Sequence, residues 1–413
     1  MRRRIINRHV TVQAMRKRLW AWFRASLALG VFIALTSCGP REIVEEPFEP
    51  TASHSNYREG LIAMEMDETV VGSAWIDAAD RALENAHPVA LPFQELAHFE
   101  PLRPEAVAYR FAALRGQRVE IQLEIQAAEE GRMFADLFRV VEDDLEAFPQ
   151  VASYSDELNR LEFEPRRDGH YVLRLQPELL RGGRFTVSIR PFPALSFPVE
   201  GHGVEDIWSV FGDPRDGGAR RHEGVDVFAP RGTPVLAVAP GVVRNVGLRD
   251  RGGRTVSILD EERGLVYYYA HLDEQLISPG VRVEPGDVLG TVGNTGNAVT
   301  TPPHLHFGIY ERRWNAVDPW NYLFPAPSVP PKIVGSPNIL GTQAQVVRSE
   351  VSIATPTPDR PVIVAAGDSV IVQGAHRDRY RVLLPETGES GYLPHTAVRP
   401  RVVQEGGGET ESS

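Results

Sequence analysis

Apolar residues at Ala74, Trp75, Ala78, Ala82 and Leu83 recur at three- and four-residue intervals, a spacing that predicts a short amphipathic helix over Ser73 to Ala86. Further along, the period drops to two. Val119, Ile121, Leu123 and Ile125 alternate with polar neighbours, as do Tyr171, Leu173 and Leu175, and then Phe185, Val187 and Ile189. These segments predict half-buried strands, with Asp168-Gly169 and Gly182-Gly183 as turns. After Pro191, Pro193 and Pro198 the chain becomes dense in Gly and Pro through about Phe324, which predicts many tight turns and a mostly antiparallel β region. Short strands return at Val362 to Val364, Val370 to Val372 and Arg381 to Leu384, beyond a Pro-rich stretch from Pro325 to Pro337.

The start of the chain has a different pattern. Arg16, Lys17 and Arg18 precede an apolar run from Ala25 to Leu35, which is too short to cross about 30 Å of hydrocarbon and reads as an export signal. Met15 is an alternative start. The single cysteine, Cys38, closes that run, and Leu35-Thr36-Ser37-Cys38 resembles the lipobox of bacterial lipoproteins. That resemblance implies cleavage before Cys38, a lipid on its sulfur, and a chain anchored in the cell envelope. Gly39 lacks the aspartate that retains many lipoproteins at the inner membrane, so the outer membrane, facing the periplasm, is the expected site. One cysteine also excludes an internal disulfide.

Length and charge narrow the picture further. A chain of 413 residues holds several domains at about 100 to 200 residues each. We expect a signal peptide at 1–37, a Pro- and Glu-rich tether at 38–55, a helical or irregular segment at 56–104, and strand-rich blocks at 105–195, 196–324 and 346–400. A linker at 325–345 and an acidic, Gly-rich tail at 401–413 complete the plan. The formal charge is −11, and residues 1–37 hold eight Arg/Lys and no acid, so their removal leaves a still more acidic body. Nucleic acid is excluded as a partner, because its phosphates repel such a surface.

Candidate chemistry lies in the 196–324 block. Four of the twelve histidines fall between Ala219 and Tyr310. His222-Glu223-Gly224-Val225-Asp226 sets an imidazole and a carboxylate four residues apart, and in extended backbone both point to one side. His304-Leu305-His306 puts two imidazoles on one face of a strand, and His271 ends the apolar strand Leu265 to Tyr269. A catalytic zinc takes three His or carboxylate ligands, keeps one position open, and needs further groups to move protons. The block has enough side chains for both jobs. Gly224 is expected to turn the backbone with positive φ so that His222 and Asp226 converge. Tyr269, two residues before His271, either adds a phenolic hydrogen bond to the site or packs across strands. The remaining histidines have no such company and read as structural or solvated.

The resemblance now becomes specific. Gly232-Thr233-Pro234-Val235, Gly241-Val242-Val243, Tyr269-Ala270-His271-Leu272, Gly293-Asn294-Thr295-Gly296 and His304-Leu305-His306-Phe307, together with the His222 and Asp226 segment, resemble the lysostaphin and LytM type of zinc metallopeptidases. The resemblance implies that His222, Asp226 and His306 bind one zinc ion and that His271 and His304 act in catalysis. It implies an endopeptidase that cuts peptidoglycan cross-link peptides, either D-alanyl-diaminopimelate bonds or glycine bridges. A non-catalytic scaffold or activator of cell-wall amidases is the alternative, with divisome or amidase partners. Thr301-Pro302-Pro303 departs from the usual Gly-Pro before the His-Leu-His segment and removes no ligand. Two looser resemblances complete the expected fold, which is mainly β. Tyr109-Arg110-Phe111 through Gly169-His170-Tyr171 resembles the pre-peptidase C-terminal type of β-sandwich, and Val346 to Arg399 resembles a small bacterial Src-homology-like barrel.

Overall fold

The computed structural model describes residues 53–126, 131–141, 148–154, 160–311, 313–324, 327–349, 351–356 and 362–401. The expected signal, Cys38, nearly all of the tether and the tail lie outside these residues. No helix among the described residues is long and apolar enough to cross a membrane. The fold is mainly β, with two helices at its start.

His54–Ala63 and Val70–Glu84 are those helices. Thr69 starts the second, its side-chain oxygen accepting from the Gly72 N–H. Trp75, Ala78, Ala79 and Ala82 of this helix are buried, as the spacing predicts. Trp75 is held at both ends: its indole N–H donates to the Pro177 carbonyl at 2.8 Å and its ring stacks on His54 at 4.8 Å. His54 is thereby structural, with Nε2 at 2.6 Å from Gln176.

Two sheets then face each other. One runs in the order His87–Pro88, Val107–Ala113, Gly169–Pro177, Met133–Arg139, Gln150–Ser153. The other contains Phe93–Phe99, Gly183–Pro193, Gln117–Gln126 and Arg160–Phe163. Tyr109, Phe111, Leu173 and Leu175 of the first meet Ile121, Leu123, Phe185 and Val187 of the second in one core. The period-two segments therefore form a sandwich with alternate side chains inward.

The sandwich begins earlier than the expected boundary at 105. Phe93–Phe99 is a strand, paired with Gly183–Pro193 from Phe93↔Ile189 to Phe99↔Gly183. Its alternation is hard to read in sequence because one inward position is a charge. Glu95 is fully buried, and its carboxylate accepts from Arg381 Nε at 3.1 Å, from the Tyr392 hydroxyl at 3.0 Å, and from the Tyr109 hydroxyl. A buried carboxylate is tolerated only where such partners meet it.

Those partners also correct the expected separate C-terminal barrel. Among the described residues no closed barrel forms. Ser369–His376 pairs with Phe93–Phe99 at Leu96↔Ala375 and Ala97↔Gly374, so Arg379–Leu383 and Ser390–Pro394 continue the sandwich sheet. The C-terminal strands keep their own small core around Val370, Val372, Val382 and Leu393. The buried Glu95–Arg381 pair sits where the two cores adjoin.

The 196–324 block forms a third, antiparallel sheet. Its order is Ile207–Ser209, Val225–Phe228, His304–Glu311, Leu265–Gln275, Gly253–Asp260, Gly241–Arg249, Arg282–Val283. Val225, Val227, Leu305, Phe307, Ile309, Tyr267 and Tyr269 are buried on one face. The residues between them are left for the other face.

Candidate active site

The alternation of three central strands brings the sequence-predicted residues together. Val225–Phe228 pairs with His304–Glu311 so that Asp226 lies opposite His306 and Phe228 opposite His304. Val227 and Leu305, between them, point into the core at 0% exposure. Asp226, Phe228, His304 and His306 therefore share the opposite face. His222 approaches from the segment just before this strand.

Three ligand atoms converge there. His222 Nε2 lies 2.9 Å from His306 Nδ1, and Asp226 Oδ1 lies 3.0 Å from each of them. Tetrahedral zinc with bonds of about 2.0–2.1 Å separates its ligand atoms by about 3.3 Å, so small side-chain adjustments suffice. His222 Nδ1 donates to the Val210 carbonyl at 2.9 Å, which leaves Nε2 with its lone pair toward the other two. The donor set, two imidazoles and a carboxylate, fits a divalent metal. Burial alone would raise the Asp226 pKa, but the His222 and His306 imidazoles beside it outweigh burial and hold the carboxyl well below the usual carboxylate range. Burial pushes the His306 imidazole down, favouring the neutral ring that a metal requires.

The structure corrects the reading of Gly224. Its φ is not among the positive values. What it provides is space: a Cβ there would come within 2.3 Å of the Phe307 carbonyl oxygen and 2.8 Å of His306 Cε1. The glycine lets the loop lie directly against the histidine strand.

The two remaining histidines stand beside the convergent three. Their rings lie 5.0 Å apart, centre to centre, and His271 is 6.0 Å from His306. His271 Nδ1 donates to the Thr295 carbonyl at 2.8 Å, and His304 Nδ1 to that of Pro302 at 3.0 Å. A carbonyl oxygen only accepts, so both rings carry the proton on Nδ1 and keep Nε2 free to accept one. Burial lowers the His271 pKa to about 4, keeping this imidazole neutral across the ordinary pH range. The Pro302-Pro303 step that departs from the family pattern supplies the carbonyl that orients His304.

Tyr269 does not reach the site. It is fully buried on the core side, its hydroxyl accepts from the Val238 N–H at 3.1 Å, and its ring packs 5.3 Å from Phe307. Alternation fails because His271 has φ 62° and the pairing register shifts between Arg254 and Val256. That bulge turns His271 to the face opposite Tyr269. Tyr268 lines the cleft instead, edge-on to His306 at 6.1 Å.

Sequence reading also missed Arg215. Its guanidinium donates to Asp226 Oδ2 at 2.7 Å and to the Ser209 hydroxyl, so Oδ2 is occupied while Oδ1 faces the imidazoles. An Arg seven residues before the histidine has no readable signal, because a turn between Gly212 and Gly218 folds it back. Arg215→Ala is expected to weaken metal binding about 10- to 100-fold, as for loss of a group that orients a ligand, measured by competition with a chromogenic chelator. Unchanged affinity would show that Asp226 holds its place without Arg215.

These groups line a cleft of about 410 Å³ that also includes Trp208, Arg251, Asn297 and Thr301. Known proteins match this part of the chain. Residues 220–319 match Peptidase family M23, so this stretch is a domain of the M23 type. An L-Ala--D-Glu endopeptidase of Bacillus subtilis is 40% identical over 127 residues, covering 28% of this chain and 38% of its own. The peptidoglycan DD-endopeptidase ShyC of Vibrio cholerae is 37% identical over 94 residues, covering 23% and 21%. Among solved structures, the catalytic domain of lysostaphin from Staphylococcus simulans is 30% identical, with 28% of this chain and 89% of that one covered and a TM-score of 0.26. A zinc containing peptidase from Vibrio cholerae is 28% identical, with 31% and 42% covered and a TM-score of 0.27. The chain spans less than half the length of these curated relatives.

Proposed function

We propose that the chain is a zinc-dependent endopeptidase that cleaves the peptide cross-links of peptidoglycan. One observation carries this reading: His222 Nε2, Asp226 Oδ1 and His306 Nδ1 converge within 3.0 Å of one another, while His271 and His304 line the same cleft with Nδ1 hydrogen-bonded to backbone carbonyls. The match of residues 220–319 to Peptidase family M23, and relatives named as an L-Ala--D-Glu endopeptidase and a peptidoglycan DD-endopeptidase, support the reaction and the substrate class.

His222, Asp226 and His306 would hold one zinc ion. When bound, zinc supplies Lewis-acid polarisation of water and of the scissile carbonyl. The chain's own groups do the rest. The Nε2 lone pair of His304 or His271 accepts the proton of the attacking water, and the resulting imidazolium returns it to the leaving amine. The Pro302 and Thr295 carbonyls stay hydrogen-bonded to Nδ1 throughout, so neither ring needs to rotate. A lipid on Cys38 would place this chemistry beside the wall, with reach from the Pro- and Glu-rich segment after it.

Purified muropeptide dimers incubated with the chain are expected to yield monomers, and a chelator to stop the reaction until zinc is restored. Mass analysis of the products reads both results. Intact dimers under zinc-replete conditions would overturn the peptidase reading in favour of the scaffold or amidase-activator alternative.

A further inference from the structure

The cleft crosses the sheet, and its two ends differ in chemistry. Ile207–Ser209 and the start of Gly253–Asp260 lie four strand steps apart, with the metal-ligand strands Val225–Phe228 and His304–Glu311 between them. At about 4.8 Å per step the distance is about 19 Å, the length of about six residues of extended peptide.

At the first end an aromatic stack rises from the site. Phe228 lies 4.9 Å from His304, and Trp208 stacks on Phe228 at 4.7 Å with 69% of its surface exposed. At the other end is Arg251. Two of the three arginines lining the cleft are committed: Arg215 to Asp226 and Arg220 to Asp216, at 2.7 and 2.9 Å. Arg251 is exposed and makes no ion pair among the described residues, so the paired charges cancel and it is the surplus cation. Asp216, a lining carboxylate that feels its charge, is already bound by Arg220.

The backbone beneath Arg251 is firmly held. Its carbonyl accepts from the Asn297 N–H at 3.0 Å, and the next carbonyl, of Gly252, accepts from the His271 N–H at 2.7 Å. A Cβ on Gly252 would meet the Tyr268 hydroxyl at 2.2 Å. The guanidinium thus starts from a fixed point one residue from the support of His271. In a chain of formal charge −11, a cation that lines the reactive cleft without an ion pair selects for an anionic partner.

We propose that Arg251 is a specificity-determining residue that takes a carboxylate of the substrate peptide, within about three residues of the scissile bond, while Trp208 covers an apolar part of the same peptide. The domain therefore prefers carboxylate-bearing cross-link peptides to uncharged glycine bridges. This rests on the peptidase reading for its substrate, although the charge preference is measurable by binding alone.

The test uses the full chain with three probes: a cross-linked tetrapeptide–tripeptide dimer with free carboxylates, the same dimer chemically amidated, and pentaglycine. The wild-type kcat/KM is expected to favour the acid form over the amide by about 10-fold, the worth of one charge-assisted contact. Arg251→Ala brings that ratio close to one, and Arg251→Lys restores part of it. A ratio near one in the wild type, or one unchanged by Arg251→Ala, would sink the proposal. Binding of the same probes is measured in parallel with the His304→Ala chain. Absence of turnover on every probe defeats the peptidase reading alone, and the acid-to-amide ratio of Kd, with and without Arg251→Ala, then decides the role of Arg251.

Discussion

Asp226→Ala is expected to leave the protein folded, unable to hold zinc, and without peptidase activity. The substitution removes the only carboxylate of the convergent set and strands the Arg215 guanidinium that Asp226 Oδ2 had paired at 2.7 Å. Two imidazoles then remain beside an unmatched positive charge, which repels a divalent cation at the distance where it must bind. His306→Ala removes a ligand without creating that repulsion, so it should bind zinc weakly where Asp226→Ala binds none. Metal content by mass spectrometry and thermal melts with and without zinc check both variants. Wild-type zinc content in Asp226→Ala would remove this residue from the metal centre.

His304→Ala should separate binding from chemistry. The ring contributes no atom to the convergent three, and its Nδ1 is engaged by Pro302, so zinc content and melting temperature are expected to stay near wild type. Activity should fall by about 10²- to 10⁴-fold, the usual worth of a placed general base or acid. The loss should appear in kcat rather than in KM, because the lost interaction is made to the reacting water. Turnover equal to wild type would end its assigned role, and loss of zinc would make it a ligand.

The strands that hold these groups were legible wherever alternation was clean. Val119 to Leu123 and Phe185 to Ile189 read correctly because every inward position is apolar. Phe93–Phe99 did not, because Glu95 occupies an inward position and its partners Tyr109, Arg381 and Tyr392 lie far away in the chain. The same cause hid the joining of the C-terminal strands to the sandwich. A buried charge can be recognised only when its partners are seen, and they come from other elements.

At the site, the sequence alone determined which residue types are available and which of them share a face. His304 and His306 alternate around buried Leu305, and residue spacing carries that arrangement into three dimensions without further help. Tertiary structure decided everything that depends on a broken period or on a distant neighbour. The left-handed backbone at His271 exchanged Tyr269 for Tyr268 in the cleft, close packing rather than positive φ explained Gly224, and a turn delivered Arg215 to Asp226. Periodicity is a local property of the backbone, so a sequence displays it directly. Bulges, close approaches and charge pairing arise where separate segments meet, and only their meeting selects among the conformations that each segment allows.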